Sequence, residues 1–194
     1  MLSGRSEPFA PTTPSSVKIV ISGGFGVGKT TFIGAISEIE PLATEAAMTE
    51  ASMDVDDPGR RGDKTETTVA LDFGRITLDQ SLVLYLFGTP GQDRFVFLWD
   101  DLVDGALGAV IVVDTSRIDD CFPVLDYFER KNTPFVVVIN RFENERMFAP
   151  AEVREALELE EWIPLVECDA RSRDSVRDVL VALLEQVLFH RIAV

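Results

Sequence analysis

The sequence has few of the side chains on which several common kinds of catalytic site depend. Only one of its 194 residues is histidine, His190, and its two cysteines, Cys121 and Cys168, are far apart along the chain. These counts argue against a serine-type triad, a histidine-ligated metal centre and a disulfide-stapled fold. We therefore expect a reduced protein whose chemistry rests on other groups.

Basic residues and long apolar runs are also scarce. The chain has 18 Lys and Arg against 33 Asp and Glu, a formal net charge of −15 that disfavours binding to nucleic-acid backbones. No run of 18 apolar residues, no apolar signal core and no lipidation motif is found. We therefore expect a cytoplasmic protein, in which any contact with a membrane is made through a partner.

The sequence instead offers an alternation of strand-like and helix-like segments. Six apolar runs, several nearly continuous in Val, Ile and Leu, are typical of strands buried on both faces: 17–22, 69–78, 82–87, 109–114, 135–140 and 163–168. Helical patterns lie between them, such as 29–39 and the apolar stripe of 176–187. They predict an α/β domain over residues 17–194, with a doubly wound, mostly parallel six-stranded sheet flanked by helices.

Two segments depart from this alternation. Residues 1–16 hold three prolines among Ser and Thr, and we predict a disordered N-terminal tail there. Residues 40–67 show no strong periodicity, and loops longer than about 12–15 residues are uncommon in compact domains. This stretch is interpreted either as a tolerated insertion or as a functional loop ordered by a ligand.

A glycine-rich motif follows the first strand and opens the first helix. It fits G-x-x-x-x-G-K-[ST], the phosphate loop, whose backbone N–H groups surround phosphate oxygens at a helix N-terminus. In this interpretation Lys29 reaches the β- and γ-phosphates, and the hydroxyl of Thr30 ligates Mg²⁺. The nucleotide-binding residues predicted here are Gly23, Gly24, Phe25, Gly26, Val27, Gly28, Lys29, Thr30 and Thr31.

Further segments narrow the family. They are 25–32 (FGVGKTTF), 68–74 (TVALDFG), 86–95 (LFGTPGQDRF) and 140–142 (NRF). Together they resemble the Ras-like P-loop small GTPases, and in particular the conservon GTPases of actinobacteria, relatives of the bacterial gliding-motility GTPase. The resemblance runs from about residue 17 to the C-terminus.

The resemblance implies GTP and GDP as ligands together with Mg²⁺. Thr68 would be the switch I threonine that closes over Mg²⁺ and the γ-phosphate, so the loop around 40–67 would be switch I, ordered by that phosphate. The N–H of Gly91 would contact the γ-phosphate. Gln92 would orient the attacking water. Thr30 and Thr68 are thus the expected metal ligands, and Gln92, Lys29 and Thr68 the expected catalytic residues.

The same resemblance places a guanine site after two strands. Asn140, Arg141 and Glu143 resemble the Asn-Lys-x-Asp motif, in which the carboxylate accepts from guanine donors that adenine lacks. Glu143 is one methylene longer than Asp, so we expect a loosened preference for guanine. Ala170 and Arg171 resemble the Ser-Ala-Lys loop, in which the Ala170 N–H would donate to the base.

Two departures from the family bear on hydrolysis. Gly88 stands where common GTPases have a Mg²⁺-holding Asp, and Phe25 stands where Ras has Gly. A bulky group at the second position hinders catalysis in that family, so we expect slow, activator-dependent hydrolysis. Arg60 and Arg61 are candidates for an arginine finger, or they are ordinary solvated charges. Asp114 ends an apolar strand and is either a structural residue or a Mg²⁺ ligand of the ATPase type.

A run of aromatics after Gln92 is the expected partner surface. Phe95 should pack on the sheet, while Phe97 or Trp99 should face outward, and we predict that these three residues form the partner site. By resemblance, the partners would be a Roadblock-type protein and other conservon components, including a sensor-kinase-like membrane protein. Two other functions remain open: a nucleotide-dependent interaction module that hydrolyses nothing, and an ATP-using P-loop phosphotransferase.

Overall fold

The computed structural model describes residues 14–40, 42–48, 67–91, 93–142 and 148–193. Within these ranges seven strands form one sheet: β1 (Ser15–Ser22), β2 (Leu42–Met48), β3 (Thr67–Thr77), β4 (Leu82–Gly88), β5 (Gly108–Val113), β6 (Phe135–Asn140) and β7 (Leu165–Cys168). The α-helices are α1 (Lys29–Ile36), α2 (Trp99–Val103), α3 (Phe122–Lys131), α4 (Pro150–Ala156) and α5 (Arg173–Ala193). Two 3₁₀ helices, Asp93–Leu98 and Thr115–Cys121, precede α2 and α3.

The strand order across the sheet is β2-β3-β4-β1-β5-β6-β7. Strands β4, β1, β5, β6 and β7 pair in parallel, whereas β3 runs antiparallel to β4 and β2 runs antiparallel to β3. All six predicted strands are present, and the predicted fold class is confirmed. The carboxyl ends of β1, β5, β6 and β7 therefore meet at one edge, where ligands bind in open α/β sheets.

Helices cover both faces of the sheet. Every residue of β5 and β6 is buried, which explains their continuous apolar sequences. Helices α1 and α5 pack on one face through residues such as Phe32 and Leu183, and α2, α3 and α4 pack on the other through residues such as Trp99 and Phe128. Burial of one large aliphatic or aromatic side chain contributes roughly 1.5–3 kcal/mol to folding.

The apolar stripe predicted on the last helix is confirmed as a sheet-facing surface, because its residues Val176, Val179, Leu180, Leu183 and Val187 are buried in the core. No helix among the described residues has the length and apolar character needed to cross a membrane.

Three of the differences from the predicted boundaries have a clear structural reason. Strand β1 begins at Ser15 instead of residue 17, because Ser15 pairs with Leu82 and its N–H donates to the Ser81 carbonyl at 2.7 Å. Helix α1 ends at Ile36 instead of residue 39, because Ser37 has an extended backbone and its hydroxyl donates to the Ile39 carbonyl.

The third difference falls in the predicted loop 40–67. Residues 42–48 form the seventh strand, and residue 67 already belongs to β3. The prediction of one continuous loop was therefore wrong for these residues. Strand β2 is stabilised by pairing with β3, and its sequence has no strong periodicity that would have predicted a strand. Residues 49–66, with Arg60 and Arg61, lie outside the described residues, as do residues 1–13.

Candidate functional site

The phosphate loop joins β1 to α1 at the carboxyl edge of the sheet. Gly28 has a φ of 103°, and a methyl group added to it would lie 2.5 Å from the Asn140 Nδ2. Gly23 has a φ of 140°, and an added methyl group would lie 2.3 Å from the Val112 carbonyl oxygen. These positions require glycine, both for their backbone conformation and for the close approach of β5 and β6.

Lys29 is the buried cation of this loop, with only 8% of its surface exposed. Its ammonium donates to the carbonyl oxygens of Gly23 at 2.9 Å and Gly24 at 2.6 Å. Burial lowers the pKa of Lys29 to about 8, with Asp72 opposing the shift and Arg117 adding to it. Lys29 is thus held against the loop in a position to exchange carbonyl partners for phosphate oxygens.

A second group beside the loop was missed in the sequence. The hydroxyl of Thr30 donates to the Asp72 Oδ2 at 2.7 Å. Asp72 lies on β3, and the antiparallel register that pairs Phe73 with Phe87 places it opposite Gly88. A methyl group added at Gly88 would lie 2.9 Å from the Asp72 Cβ, so Asp72 occupies the space that a side chain on Gly88 would need.

The sequence contains a signal for Asp72, but that signal can be interpreted only when the register between β3 and β4 is known. A carboxylate inside an apolar strand, next to the strand that lacks the expected Asp, is informative only once β3 and β4 are aligned. The chemistry of this pair fits magnesium, because Mg²⁺ prefers oxygen ligands and is held by one or two carboxylates together with substrate phosphates. Thr30 and Asp72 are therefore the described residues that could hold the metal.

Thr68, the other predicted metal ligand, lies in β3 opposite Ala47. Its side chain is outside the described structure, and so is Gln92 altogether. Gly91, the predicted γ-phosphate contact, packs against the phosphate loop. A methyl group added to Gly91 would be 2.6 Å from both the Lys29 Nζ and the Gly24 carbonyl oxygen. Thr31 is exposed on the first turn of α1 and has no polar partner among the described residues.

Asn140 connects three loops at the other end of the site. Its Nδ2 donates to the Val27 carbonyl at 2.9 Å, and its Oδ1 accepts from the Ala170 N–H at 3.1 Å. Because Asn140 is buried, these bonds fix the phosphate loop relative to the loop after β7. The Ala170 N–H, which was predicted to donate to the base, donates here to Asn140.

The remaining predicted base-site residues point to partners of their own. Arg141 forms an ion pair with Glu167 on β7, and Arg171 pairs with Asp169 at 2.9 Å. All four side chains are partly exposed. Glu143 lies outside the described residues, so the structure brings Asn140, Arg141, Ala170 and Arg171 to one edge but leaves the predicted base acceptor undescribed.

Asp114 has a structural role at the end of β5. Its Oδ1 accepts from the Ser116 N–H at 2.9 Å and the Ser116 hydroxyl at 2.6 Å, capping the second 3₁₀ helix. Burial would raise the pKa of Asp114, but the Ser116 hydrogen bonds and Arg117 outweigh it and lower the pKa. These contacts favour the structural interpretation over the ATPase-type metal ligand.

Arg117 was not predicted to contact the site. Its guanidinium pairs with Asp114 at 3.2 Å and donates to the Phe25 carbonyl at 2.7 Å. It therefore braces the outer side of the phosphate loop, through a contact between residues 92 positions apart that no local motif could signal.

The predicted partner surface needs a correction. Phe95 and Trp99 are buried, at 8% and 4% exposure, whereas Phe97 is 53% exposed. The Trp99 ring packs edge-on against Tyr127 at 5.2 Å, and its N–H donates to the Pro90 carbonyl. Of the three residues assigned to the partner site, only Phe97 is available to a partner, because Trp99 joins the turn before Gly91 to α3.

Comparisons with known proteins agree with this architecture. The profile of a family described as conserved hypothetical ATP binding proteins matches residues 21–190. The Ras-related protein SEC4 of Saccharomyces cerevisiae is 27% identical over 130 residues, covering 62% of this chain and 60% of SEC4. The uncharacterized protein MJ1339 of Methanocaldococcus jannaschii is 29% identical over 127 residues, covering 64% of this chain and 70% of that protein.

Solved structures give the same fold. The G domain of the T. maritima FeoB iron transporter is 18% identical, with a TM-score of 0.58 over 91% of this chain and 99% of that one. The FeoB G domain from Methanococcus jannaschii is 12% identical, with a TM-score of 0.58 over 89% of this chain and 98% of that one. At these identities the likeness establishes the G-domain fold alone.

Proposed function

The chain belongs to the family described as conserved hypothetical ATP binding proteins, and from this premise we propose that it is a nucleotide-dependent switch that binds GTP with Mg²⁺ and hydrolyses it slowly. The relatives that share its fold include a Ras-related protein and two FeoB G domains. The match spans about 60% of the SEC4 sequence, so activity and partners are proposed for this chain from its own residues.

The observation that carries the proposal is the bridge made by Asn140. Its amide joins the Val27 carbonyl of the phosphate loop to the Ala170 N–H. This contact sets the two loops that would hold phosphate and base at a fixed separation, as one nucleotide requires. A plain glycine-rich turn would need neither the buried amide nor its second partner.

The phosphate chemistry is mainly positioning and charge stabilisation. Lys29 supplies a buried positive charge, and the N–H groups of residues 24–30 supply further donors. When bound, magnesium neutralises phosphate charge, and Thr30 and Asp72 would hold it, with Thr68 a further proposed ligand. We propose that Gln92 orients the attacking water, and that the bulk of Phe25 keeps hydrolysis slow without an activator.

The partners follow from the same proposal. Phe25 is exposed in the lining of the cleft around Lys29 and Gly91, and Phe97 is exposed six residues after Gly91, so a partner that contacts them could respond to the γ-phosphate. We keep a Roadblock-type protein and other conservon components as the proposed partners, with an activator among them. Recruitment to a membrane, in this proposal, is made by such a partner.

ATP is the second candidate ligand, and two observations favour it. The matching family is described as ATP binding. Arg141 is paired with Glu167, and Glu143 stands in place of Asp, so guanine selection has less support than phosphate binding. A protein that binds a nucleotide without hydrolysing it remains the other alternative.

The test is to identify the nucleotide that co-purifies with the full chain. Freshly purified protein is denatured, and the released nucleotides are separated by ion exchange, with Lys29→Ala as the blank. GDP or GTP near one equivalent supports the guanine site, whereas ADP or ATP overturns it in favour of the family's description. An empty wild-type chain that also fails to bind fluorescent GDP or ADP overturns nucleotide binding itself.

Hydrolysis needs a separate assay. Single-turnover release of phosphate from GTP is followed for hours in the wild type and in Gln92→Ala. A rate above that of the variant supports the proposed GTPase. Equal rates would leave the chain as a nucleotide-dependent interaction module.

A further inference from the structure

A second cavity lies beside the phosphate loop, next to the candidate nucleotide cleft. It has a volume of about 330 Å³, against about 360 Å³ for the cleft formed around Lys29, Thr30 and Asp72. Its walls come from the phosphate loop, the turn at Gly91, and the region around the start of α3; we call it the α3 cavity. Phe25 and Gly91 line both spaces, so the two cavities share one wall.

Exposed apolar side chains lie in the lining of the α3 cavity and close to lining residues along the chain. Phe25 is 62% exposed and Phe97 is 53% exposed, and Val96 and Phe122 are each 38% exposed. Phe25 lines the cavity. Val96 and Phe97 come shortly before the lining residue Trp99, and Phe122 comes directly before the lining residue Pro123. Exposed aromatics grouped around a concave site are typical of protein-binding surfaces.

The charges lining the α3 cavity are acidic. Asp119 and Asp120 line the cavity next to Pro123, and a methyl group added at Gly24 would lie 2.9 Å from the Asp120 Cβ. Asp120 is 3.8 Å from Arg117, whose closer contacts are to Asp114 at 3.2 Å and the Phe25 carbonyl at 2.7 Å. Among the described residues Asp119 forms no ion pair. The formal net charge of −15 for the chain adds to this local preference for a cation.

We propose that the α3 cavity takes an arginine or lysine side chain of a partner protein, flanked by apolar residues that cover Phe25 and Phe97. The cation would lie against Asp119 and Asp120, and its aliphatic stem against Trp99 and Pro123. Because Phe25 and Gly91 also line the nucleotide cleft, a partner held here would respond to the ligand in that cleft. This last coupling rests on the proposed switch function; the basic occupant does not.

The test uses two peptide probes of equal shape. Acetyl-Leu-Arg-Phe-amide carries the cation, and acetyl-Leu-citrulline-Phe-amide replaces it with a neutral isostere. Each is titrated into the ¹⁵N-labelled full chain with and without GDP and Mg²⁺, and the Trp99 indole N–H and the amides of residues 119–124 are followed by NMR. We expect the arginine peptide to shift these signals and to bind at least about fivefold more tightly than the citrulline peptide.

The variants assign that difference to the acidic wall. Asp119→Asn combined with Asp120→Asn should remove the advantage of the arginine peptide. Asp126→Asn, an exposed aspartate of α3 outside the cavity lining, should keep it. Equal binding of the two peptides to the wild type, or shifts confined to another surface, would overturn the inference. The same spectra show whether each variant is folded.

Failure of this inference can be told apart from failure of the proposed function. Binding of fluorescent GDP is measured on the same samples. If GDP binds and the arginine peptide does not, the inference alone is wrong. If the arginine peptide binds at the α3 cavity and no nucleotide does, the switch function and the coupling are wrong while the basic occupant stands.

Discussion

The two ends of the candidate cleft are built from different kinds of contact. At the phosphate end Lys29 is buried and held by two loop carbonyls, and the exposed Thr30 is bonded to the half-buried Asp72. At the base end the charged groups, Arg141 and Arg171, are partly exposed and paired with carboxylates of their own. Phosphate recognition therefore rests on a buried lysine and on backbone groups, whereas base selection depends on partly exposed side chains that are paired with carboxylates.

The largest effect is expected from a methyl group at the phosphate end. Gly28→Ala forces a side chain onto a residue with φ of 103° and within 2.5 Å of the Asn140 amide. We expect nucleotide affinity to fall roughly 100-fold, or about 2.7 kcal/mol, measured by equilibrium titration with fluorescent nucleotide.

Gly105→Ala is the matched control for Gly28→Ala. It also introduces a side chain at positive φ, 70°, but nothing lies within 4 Å of the added methyl group. It should lower the free energy of unfolding by about 1 kcal/mol and leave affinity unchanged. Similar nucleotide affinities for the two variants would contradict the view that the close contacts around Gly28 are needed for phosphate binding.

The next effect tests the metal pair. Asp72→Ala removes the carboxylate bonded to Thr30, and we expect the Mg²⁺ concentration for half-maximal nucleotide retention to rise about tenfold. Adding Gly88→Asp to that variant places a carboxylate in the space that Asp72 vacates, and should restore much of the retention. Unchanged magnesium dependence in Asp72→Ala would remove Asp72 from the metal site.

The third prediction concerns the protonation of Lys29. Its pKa of about 8 in the free protein means that it loses its proton as the pH rises through 8, while bound phosphate favours the charged form. Nucleotide affinity should therefore fall about eightfold between pH 7.5 and 9, with net proton uptake on binding near pH 8. Calorimetry in buffers of different ionisation enthalpy measures that uptake. If no proton is taken up near pH 8, the pKa of Lys29 in the free protein is not near 8.

The smallest effect is expected at the base end. Arg141→Ala breaks a partly exposed ion pair with Glu167, so nucleotide affinity should change by no more than about twofold. Competition titrations with GDP and ADP in the wild type and variant measure both affinity and preference. A loss of nucleotide affinity comparable to that of Gly28→Ala would contradict the proposed difference between the phosphate end and the base end of the cleft.

The sequence predicted the features that are signalled by residues adjacent in the chain, and it missed features that depend on distant residues. The strands β5 and β6 were predictable because burial on both faces leaves continuous apolar runs, and the phosphate loop because its glycines and Lys29 are adjacent. Strand β2 was missed because its sequence, LATEAAM, alternates weakly, and only pairing with β3 defines it. Asp72 and Arg117 were missed because their partners lie 42 and 92 positions away.

The sequence left open whether Phe97 or Trp99 faces outward, for a related reason. The segment 93–103 changes from a 3₁₀ helix to an α-helix at Trp99. The residues per turn change from 3.0 to 3.6, so the buried face cannot be extrapolated across the junction. Phe95 and Trp99 lie four residues apart, which an α-helical period places on one face, whereas the 3₁₀ period of residues 93–98 aligns Phe95 with Leu98.

The indole of Trp99 also gives the chain an optical property. The sequence has two tryptophans, and the other, Trp162, is 48% exposed on the loop after α4. Replacing Trp162 with Phe would leave Trp99 as the one tryptophan. Its indole is hydrogen-bonded to the turn before Gly91 and packs edge-on against Tyr127. Its emission would then follow rearrangement of that turn in real time, without a labelled ligand.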